Sequence, residues 1–308
     1  MLRYYVLTSR NLKCLKRQFH SLPKEDTTVI INTTLDWYRE QAEQYCIDNE
    51  IDYAITPSTG HPGRGKNSVL QHFLASDYDY MVQIDGDDFM QPNGVNLYRA
   101  VAESSNPPDG IQIIHSVSWI GGMKAEQLWF PDPWHKDYAE RARKVEVDFP
   151  QLKETLRREW NKRKETKNLV RVHFEQNKKW NYPGESRDPL DCARLIFWSR
   201  KLAKLVTFRE DLMIGEDTLV NMQVRELAFR GEIELQKIKD SEHRTYIYDL
   251  INSGIVRRFK NKIDWTWVAP LNDAIAEESK KWTMTSEFRL APVAIEIERT
   301  PDIKLGEV

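Results

Sequence analysis

Three aspartates, Asp85, Asp87 and Asp88, follow the largely apolar run of residues 80–84 within four positions. Neighbouring negative charges repel one another, so such a cluster needs a cation or several hydrogen-bond donors close to it. Carboxylate oxygens are the ligands that Mg2+ and Mn2+ prefer, and Gly86 allows a sharp turn between the acids. We therefore predict a site for Mn2+ or Mg2+ at these three aspartates. The alternative is a turn in which they accept hydrogen bonds from nearby backbone amides.

Glycines alternate with basic residues in TPSTGHPGRGKNS, residues 56–68, at the start of a helical pattern. Glycine lets a backbone approach a phosphate closely, and a helix N-terminus and basic side chains favour its negative charge. Gly63, Arg64, Lys66 and Asn67 are therefore candidate nucleotide-binding residues. The stretch is not a Walker loop, because Asn67 follows Lys66 where Ser or Thr is required. A surface loop without a ligand is the alternative.

The elements that must position these residues alternate along the first hundred residues. Strands are predicted at residues 4–9, 27–34, 52–57, 80–85 and 110–118, and helices at residues 35–50 and 66–77. This alternation predicts an α/β fold with a mostly parallel sheet flanked by helices. Ligands of such sheets bind beyond the carboxyl ends of the strands. Small or polar residues stand at the first two of these ends: Thr8, Ser9, Arg10, Thr34 and Asp36.

The pattern changes after residue 125. Apolar periodicity resumes at residues 191–206, and residues 216–231 predict a helix with Asp217 or Thr218 as its N-cap and Gly231 as its C-terminal stop. We divide the chain into two halves of one α/β domain at residues 1–125 and 190–256, a basic helical insertion at residues 126–189, and a C-terminal helical region and tail at residues 257–308.

Composition narrows the class of protein. The 308 residues are 40% apolar, which is typical of a globular protein. Cys14, Cys46 and Cys192 form no CxxC pair, which argues against a disulfide framework and indicates a reducing compartment. No run approaches the roughly 18 apolar residues of a membrane span, and no export signal is visible. We expect a cytoplasmic protein with no membrane partner.

The two motifs together resemble the nucleotide-binding half of family 2 glycosyltransferases with the GT-A fold. The resemblance rests on YDYMVQIDGDDFMQP and on the G-K-N helix start, where Lys66 and Asn67 stand at positions that are commonly Arg-Asn in that family. It implies a Rossmann-like sheet, a UDP-sugar donor, and a D-x-D-D motif at residues 85–88 that binds the metal and the sugar nucleotide. The family binds the nucleobase near the end of the second strand, which makes Thr34 and Asp36 candidates, unless they only cap the next helix.

Residues 195–231 resemble the acceptor half of the same family, in which a Gly-Glu-Asp motif opens a helix. In the family the aspartate of this motif is the catalytic base, and the matching residue is Asp217. Glu216 is a candidate for orienting hydroxyls of the acceptor or the sugar. The resemblance covers residues 1–122 and 190–256.

A tyrosine-rich strand with a downstream serine also resembles the family and is matched by Tyr246, Tyr248 and Ser253. The resemblance implies that the serine approaches the diphosphate. His243 is a candidate further metal ligand, although a lone histidine is more often structural.

Basic and aromatic residues alternate in the insertion, and residues 153–182 contain ten Lys or Arg against four Glu. This pattern is typical of segments that bind a phosphate backbone and exposed bases. A solvated helix face, with glutamates pairing to neighbouring basic residues, is the alternative. The candidate nucleic-acid contacts are Arg157, Arg158, Lys162, Arg163, Lys164, Lys167 and Arg171.

Bacteriophages carry enzymes similar to family 2 glycosyltransferases that glycosylate hydroxymethylated pyrimidines in their DNA, and the basic insertion resembles that group. The resemblance implies metal-dependent, inverting transfer from a UDP-sugar to a modified base in double-stranded DNA. Two alternatives stay open. One is the same chemistry on a cell-surface glycan or a protein hydroxyl; the other is a nucleic-acid-binding scaffold without turnover. The four aspartates at positions 85, 87, 88 and 217 argue against an inactive scaffold.

Overall fold

The computed structural model describes residues 1–114, 117–119, 130–131, 194–239, 244–249, 266, 268–283 and 290–303. In these residues the strands are β1 Leu2–Thr8, β2 Thr27–Asn32, β3 Asp52–Thr56, β4 Tyr80–Asp85, β5 Phe89–Met90, β6 Gly110–Ile114, β7 Val117–Trp119, β8 Phe130–Pro131, β9 Arg194–Ser199, β10 Leu235–Lys239, β11 Tyr246–Asp249 and β12 Ala291–Pro292. The helices are α1 Leu12–Gln18, α2 Asp36–Asp48, α3 Pro62–Ala75, α4 Pro92–Glu103, α5 Arg200–Leu205, α6 Glu216–Phe229 and α7 Val268–Ser279.

An eight-stranded sheet runs in the order β12-β10-β6-β9-β4-β1-β2-β3. β1 pairs in parallel with both β2 and β4, and β2 pairs in parallel with β3, so the carboxyl ends of these four strands lie at one edge. Only β9, between β4 and β6, is antiparallel to its neighbours in the described sheet. The predicted α/β fold with a mostly parallel sheet is confirmed.

Helices cover both faces of the sheet. Successive side chains of a strand point to opposite faces, so each strand packs against the helices on both. Tyr4 and Val6 of β1 belong to one buried cluster, and Tyr5 between them belongs to the other. All three side chains are completely buried. A strand covered on both faces is expected to be largely apolar, and the central residues 4–7 of β1, YYVL, fit this expectation.

A smaller sheet of β5, β11, β7 and β8 lies beside the main one. β11 pairs with β5 in antiparallel fashion and with β7 in parallel. Since β5 begins one residue after Asp88, the smaller sheet anchors the loop that carries the three aspartates. The strand predicted at residues 110–118 is therefore divided between the two sheets, as β6 and β7.

Helix starts differ from the predictions. Helix α3 begins at Pro62 with His61 as its N-cap, so Gly63, Arg64, Gly65 and Lys66 lie in its first turns and not in a loop before it. Proline is well suited to the first helical position, and this local signal overrides the flexibility of the glycines.

Helix α6 begins at Glu216 with Gly215 as its N-cap, so the predicted caps Asp217 and Thr218 lie inside the helix. Its predicted stop is present, because Gly231 adopts a left-handed φ of 72° directly after the C-cap. Residues 191–206, predicted only as apolar and periodic, contain β9 followed by the short helix α5.

The C-terminal stretch packs against the domain. β12 pairs with β10, and the Gln91 side chain exchanges two hydrogen bonds of 2.9 Å with the Ile303 backbone. Helix α7 packs on α6 through an apolar cluster that includes Leu271. The predicted basic insertion at residues 126–189 lies outside the described residues, apart from β8.

Among the described helices, none has the length and apolar character needed to cross a bilayer. Cys14 and Cys46 are buried and form no disulfide among the described residues, and burial raises the pKa of the Cys46 thiol to about 12. Cys192 lies outside the described residues.

Candidate active site

A cavity of about 250 Å³ opens where β1, β2 and β4 end. Its wall is completed by the first turns of α3 and α6 and by Arg194, the first residue of β9. The residues predicted for nucleotide, metal or catalysis that line it are Thr8, Ser9, Arg10, Thr34, Lys66, Asp85, Gly86, Asp87, Glu216 and Asp217. Residues far apart in sequence are thus brought to one site, at the strand edge where the sequence predicts a ligand.

Residues 85–88, hereafter the acid loop, make a tight turn against the end of β1. The Gly86 amide donates to the Leu7 carbonyl at 2.7 Å, and the Asp88 amide donates to the Asp85 carbonyl at 3.0 Å. A Cβ at Gly86 would lie 2.6 Å from the Leu7 carbonyl oxygen. Glycine is therefore required here because the two backbones approach so closely.

Asp88 is fully buried and its carboxylate accepts hydrogen bonds from the protein. One oxygen accepts from the Asp249 amide at 3.1 Å, and the other from the Tyr246 hydroxyl at 2.7 Å and from Arg194. Burial raises the pKa of Asp88 to about 7, although the charge of Arg194 acts in the opposite direction. Asp88 thus fastens the acid loop to the smaller sheet and does not line the cavity, unlike Asp85 and Asp87.

The three aspartates nevertheless provide a donor set that a divalent ion could use. One carboxylate oxygen from each of Asp85, Asp87 and Asp88 lies within 4.8 Å of the others. Such oxygen donors suit Mg2+ or Mn2+. The alternative expectation, in which the aspartates bond to amides of their own turn, does not describe Asp85, whose carboxylate contacts Arg194 and Lys66.

Arg194 was missed by sequence reasoning. Its guanidinium contacts the carboxylates of both Asp85 and Asp88, donates to the Tyr246 hydroxyl at 2.9 Å and lies 5.1 Å from the centre of the Tyr246 ring. Burial would raise the pKa of Asp85, but Arg194 and Lys66 together hold it below its usual value. The only local signal is a basic residue at the start of the apolar run RLIFW.

Lys66 connects the acid loop to helix α6. Its buried ammonium donates to Glu216 Oε1 at 2.8 Å, contacts Asp217 Oδ1, and lies 3.9 Å from Asp85 Oδ2. Burial acts to lower the pKa of Lys66, but the three carboxylates outweigh it and the pKa is raised. The amine is therefore a permanent cation between the two acidic parts of the site.

Glu216 and Asp217 differ in their exposure. The Glu216 side chain is 8% exposed, and burial raises the pKa of its carboxyl group. The Asp217 side chain is 38% exposed and lines the cavity. Asp217 is thus the carboxylate that a bound molecule can reach, whereas Glu216 is committed to Lys66.

The turn before Glu216 is fixed by glycine and by helix α7. Gly215 has a φ of 90°, which is strained for any residue with a side chain. A Cβ there would lie 2.5 Å from a methyl carbon of Leu271. Helix α7 therefore holds the start of α6, and with it Asp217, in place.

Three residues predicted to bind a nucleotide fasten α3 to the link that precedes α6. The Asn67 amide exchanges hydrogen bonds of 2.9 Å with the Phe208 backbone, and Arg64 pairs with Glu210 at 3.4 Å. Gly63 has no room for a Cβ, which would collide with the Arg209 carbonyl. These residues hold α3 against that link and do not line the cavity.

Asp36 also lies outside the cavity lining and forms an exposed ion pair of 2.8 Å with Arg39. The predicted residues that lie outside the described part of the chain are His243, Ser253, Arg157, Arg158, Lys162, Arg163, Lys164, Lys167 and Arg171.

No protein-family model matches the sequence, and a search of curated proteins finds no match. Among solved structures, the chain is similar to S. aureus TarS 1–349 in complex with UDP, with 12% identity, coverage of 92% of this chain and 67% of that chain, and a TM-score of 0.50. The chain has the GT-A fold.

Two further similar structures have lower TM-scores. The longer S. aureus TarS chain is matched at 14% identity and a TM-score of 0.45, over 80% of this chain and 36% of that one. This chain thus spans about a third of that protein. The mannosyltransferase PcManGT from Pyrobaculum calidifontis, in complex with GDP-Man and Mn2+, is matched at 13% identity and a TM-score of 0.44, over 90% of this chain and 69% of that one.

The central position of Lys66 gives a stability prediction. Lys66→Met should lower the free energy of unfolding by about 3–5 kcal/mol near neutral pH, because the buried carboxylate of Glu216 loses its cation. The pKa of Glu216, already raised, should rise further in the variant. A carboxyl group whose pKa is raised by folding stabilises the folded state below that pKa, and this stabilisation is lost as the pH increases through it. The cost should therefore be smaller at about pH 5 than at about pH 7.5, as measured by urea denaturation.

Arg64→Met is the matched control, since Arg64 lies on the same helix and its partner Glu210 is 40% exposed. An exposed pair contributes roughly 0–1 kcal/mol. Equal costs for the two variants, or a cost at Lys66 that does not change with pH, would contradict the role assigned to Lys66.

Proposed function

We propose that this chain is a glycosyltransferase that moves a sugar from a nucleoside diphosphate sugar to a hydroxyl acceptor. The observation that carries the proposal is the meeting of Asp85, Asp87 and Asp217 at one cavity, at the carboxyl edge of a GT-A sheet. The similarity of this fold to TarS in its UDP complex supports a nucleotide in that cavity.

The donor side of the site is formed by the acid loop and the polar ends of β1 and β2. Asp85 and Asp87 would hold the divalent ion, which when bound neutralises the negative charge of the departing diphosphate. Ser9 and Thr34 line the same cavity and offer hydroxyls to the nucleoside, whereas the hydroxyl of Thr8, which also lines it, contacts the buried Tyr38 hydroxyl. The N-terminus of α3 also opens onto it and favours a negatively charged group.

Asp217 is the base on the acceptor side. As the acceptor oxygen attacks the anomeric carbon, the bond from that carbon to the diphosphate oxygen breaks and the hydroxyl proton passes to the carboxylate of Asp217. Contact with the Lys66 ammonium orients the carboxylate of Asp217. One base and one displacement invert the configuration of the sugar, so we infer an inverting mechanism.

The finer assignments are a UDP-sugar as donor and double-stranded DNA with hydroxymethylated pyrimidines as acceptor. The donor assignment is supported by the UDP bound to the similar TarS structure. The acceptor assignment is supported by the basic residues between positions 153 and 182 of the sequence. A glycan or protein hydroxyl is the alternative acceptor.

Two substitutions separate donor binding from transfer. Asp217→Asn should bind UDP with Mn2+ as wild type does and lose transfer by roughly 10²–10⁴-fold, since it removes only the base. Asp87→Asn should lose metal-dependent UDP binding as well. Calorimetry with UDP and Mn2+, together with transfer from labelled UDP-sugars to hydroxymethylated DNA and other hydroxyl acceptors, measures both effects.

Asp36→Asn is the control, because Asp36 is an exposed acid close to the site in sequence but absent from the cavity lining. It should behave as wild type. Normal transfer by Asp217→Asn would show that another group is the base, and unchanged UDP binding by Asp87→Asn would remove the acid loop from the donor site.

The DNA acceptor has its own test. Binding to hydroxymethylated duplex DNA should weaken steeply with salt, because phosphate contacts release counterions. Replacing all four of Arg157, Arg158, Arg163 and Lys164 by Gln should make the binding constant less dependent on salt. The slope of its logarithm against the logarithm of the salt concentration should fall in magnitude by about 0.9 for each phosphate that the wild-type side chains neutralise. Binding that is absent or insensitive to salt would favour a glycan or protein acceptor.

A further inference from the structure

Arg194 contacts the carboxylates of the acid loop, and the proposed reaction leaves it without a role. It opens β9, the strand that is antiparallel to its neighbours, and it lines the cavity. Its guanidinium bridges two carboxylates, of which Asp88 is buried and Asp85 lines the cavity. It therefore joins the fixed part of the acid loop to the part that a ligand can reach.

We propose that Arg194 is the resident counter-ion of the donor site, which competes with the divalent ion for the carboxylate of Asp85 and attracts the diphosphate directly. This inference rests on the proposed function, since it assigns a diphosphate to the cavity. The guanidinium is held in place by the Tyr246 hydroxyl at 2.9 Å and by the face of the Tyr246 ring.

The charges around Asp85 support the competition. The Asp85 carboxylate contacts Arg194 on one side and lies 3.9 Å from the Lys66 ammonium on the other. A divalent ion that uses Asp85 must share it with these two cations and is repelled by both. Besides Asp85, Lys66 contacts two carboxylates, Glu216 and Asp217, whereas among the described carboxylates Arg194 contacts only Asp88, so the charge of Lys66 is compensated more fully. Arg194 is therefore the larger obstacle to the ion.

The same charge should help a diphosphate. Guanidinium groups bind phosphate oxygens through charge-assisted hydrogen bonds, and a rigidly held arginine loses little entropy in doing so. Arg194 thus acts in opposite directions on the two ligands of the donor site: it weakens binding of the ion alone and strengthens binding of the nucleotide alone. If the role of Arg194 were purely structural, replacing it would weaken the binding of both ligands or leave both unchanged.

The test measures each ligand without the other. Arg194→Gln should bind Mn2+ alone, followed by electron paramagnetic resonance of the free ion, about tenfold more tightly than wild type. The same variant should bind UDP in the presence of EDTA, measured by calorimetry, about tenfold more weakly. Arg194→Lys keeps the charge but reaches one carboxylate only, so both affinities should change in the same directions by smaller factors. If the Gln variant does not fold, the Lys variant is used to measure them.

Lys201→Gln is the control, because Lys201 is a basic residue near the other end of β9 that pairs with Asp109 at 2.9 Å, with its own side chain 56% exposed. It should leave both affinities unchanged. Weaker or unchanged Mn2+ binding in the Arg194 variants would overturn the inference. If the wild-type protein binds no UDP with or without Mn2+, the proposed function is wrong. Tighter Mn2+ binding by Arg194→Gln would in that case still support the competition between Arg194 and the ion for Asp85.

Discussion

The contact of one buried ammonium with three carboxylates is the interaction on which the rest of the site depends. Lys66 lies on α3, its partners Glu216 and Asp217 open α6, and Asp85 ends β4. An isolated buried charge costs several kcal/mol, so the buried charges of Lys66 and Glu216 are stable only when held together. The same contact that neutralises Lys66 therefore brings the proposed base within reach of the acid loop.

Much of the surrounding structure maintains that contact. The Asn67 side chain and the close approach at Gly63 fasten α3 to the link before α6, and Leu271 packs against Gly215 at the start of α6. On the other side of the site, Arg17 bonds to the backbone of Asp87 and to the Asp249 carboxylate. Such networks fix the geometry of a polar site before a ligand arrives, which lowers the cost of binding.

The fold and part of the site could be predicted from the sequence because their signals are local. Alternating strand and helix patterns predict the parallel sheet, and the residues that end the strands mark the ligand edge, where Asp85, Asp87 and Lys66 lie. Contacts between distant residues have no such signal. Arg194 is more than a hundred positions from Asp85, and the partner of Asn67 is a backbone that no motif identifies. The N-cap of α6 is Gly215, which makes no side-chain capping bond and lies close to the distant Leu271, so the sequence favours Asp217 or Thr218 as the cap.

In the proposed arrangement, the acid loop and Asp217 face the two ends of one nucleotide-sugar site. A crystal structure of the chain with UDP and Mn2+, with anomalous diffraction to locate the manganese, would reveal this arrangement. We expect a manganese peak at Asp85 and Asp87, the diphosphate beside it in the cavity, and Asp217 facing the space next to the terminal phosphate. Manganese or UDP bound elsewhere, with the acid loop held only by Arg194 and Tyr246, would contradict it.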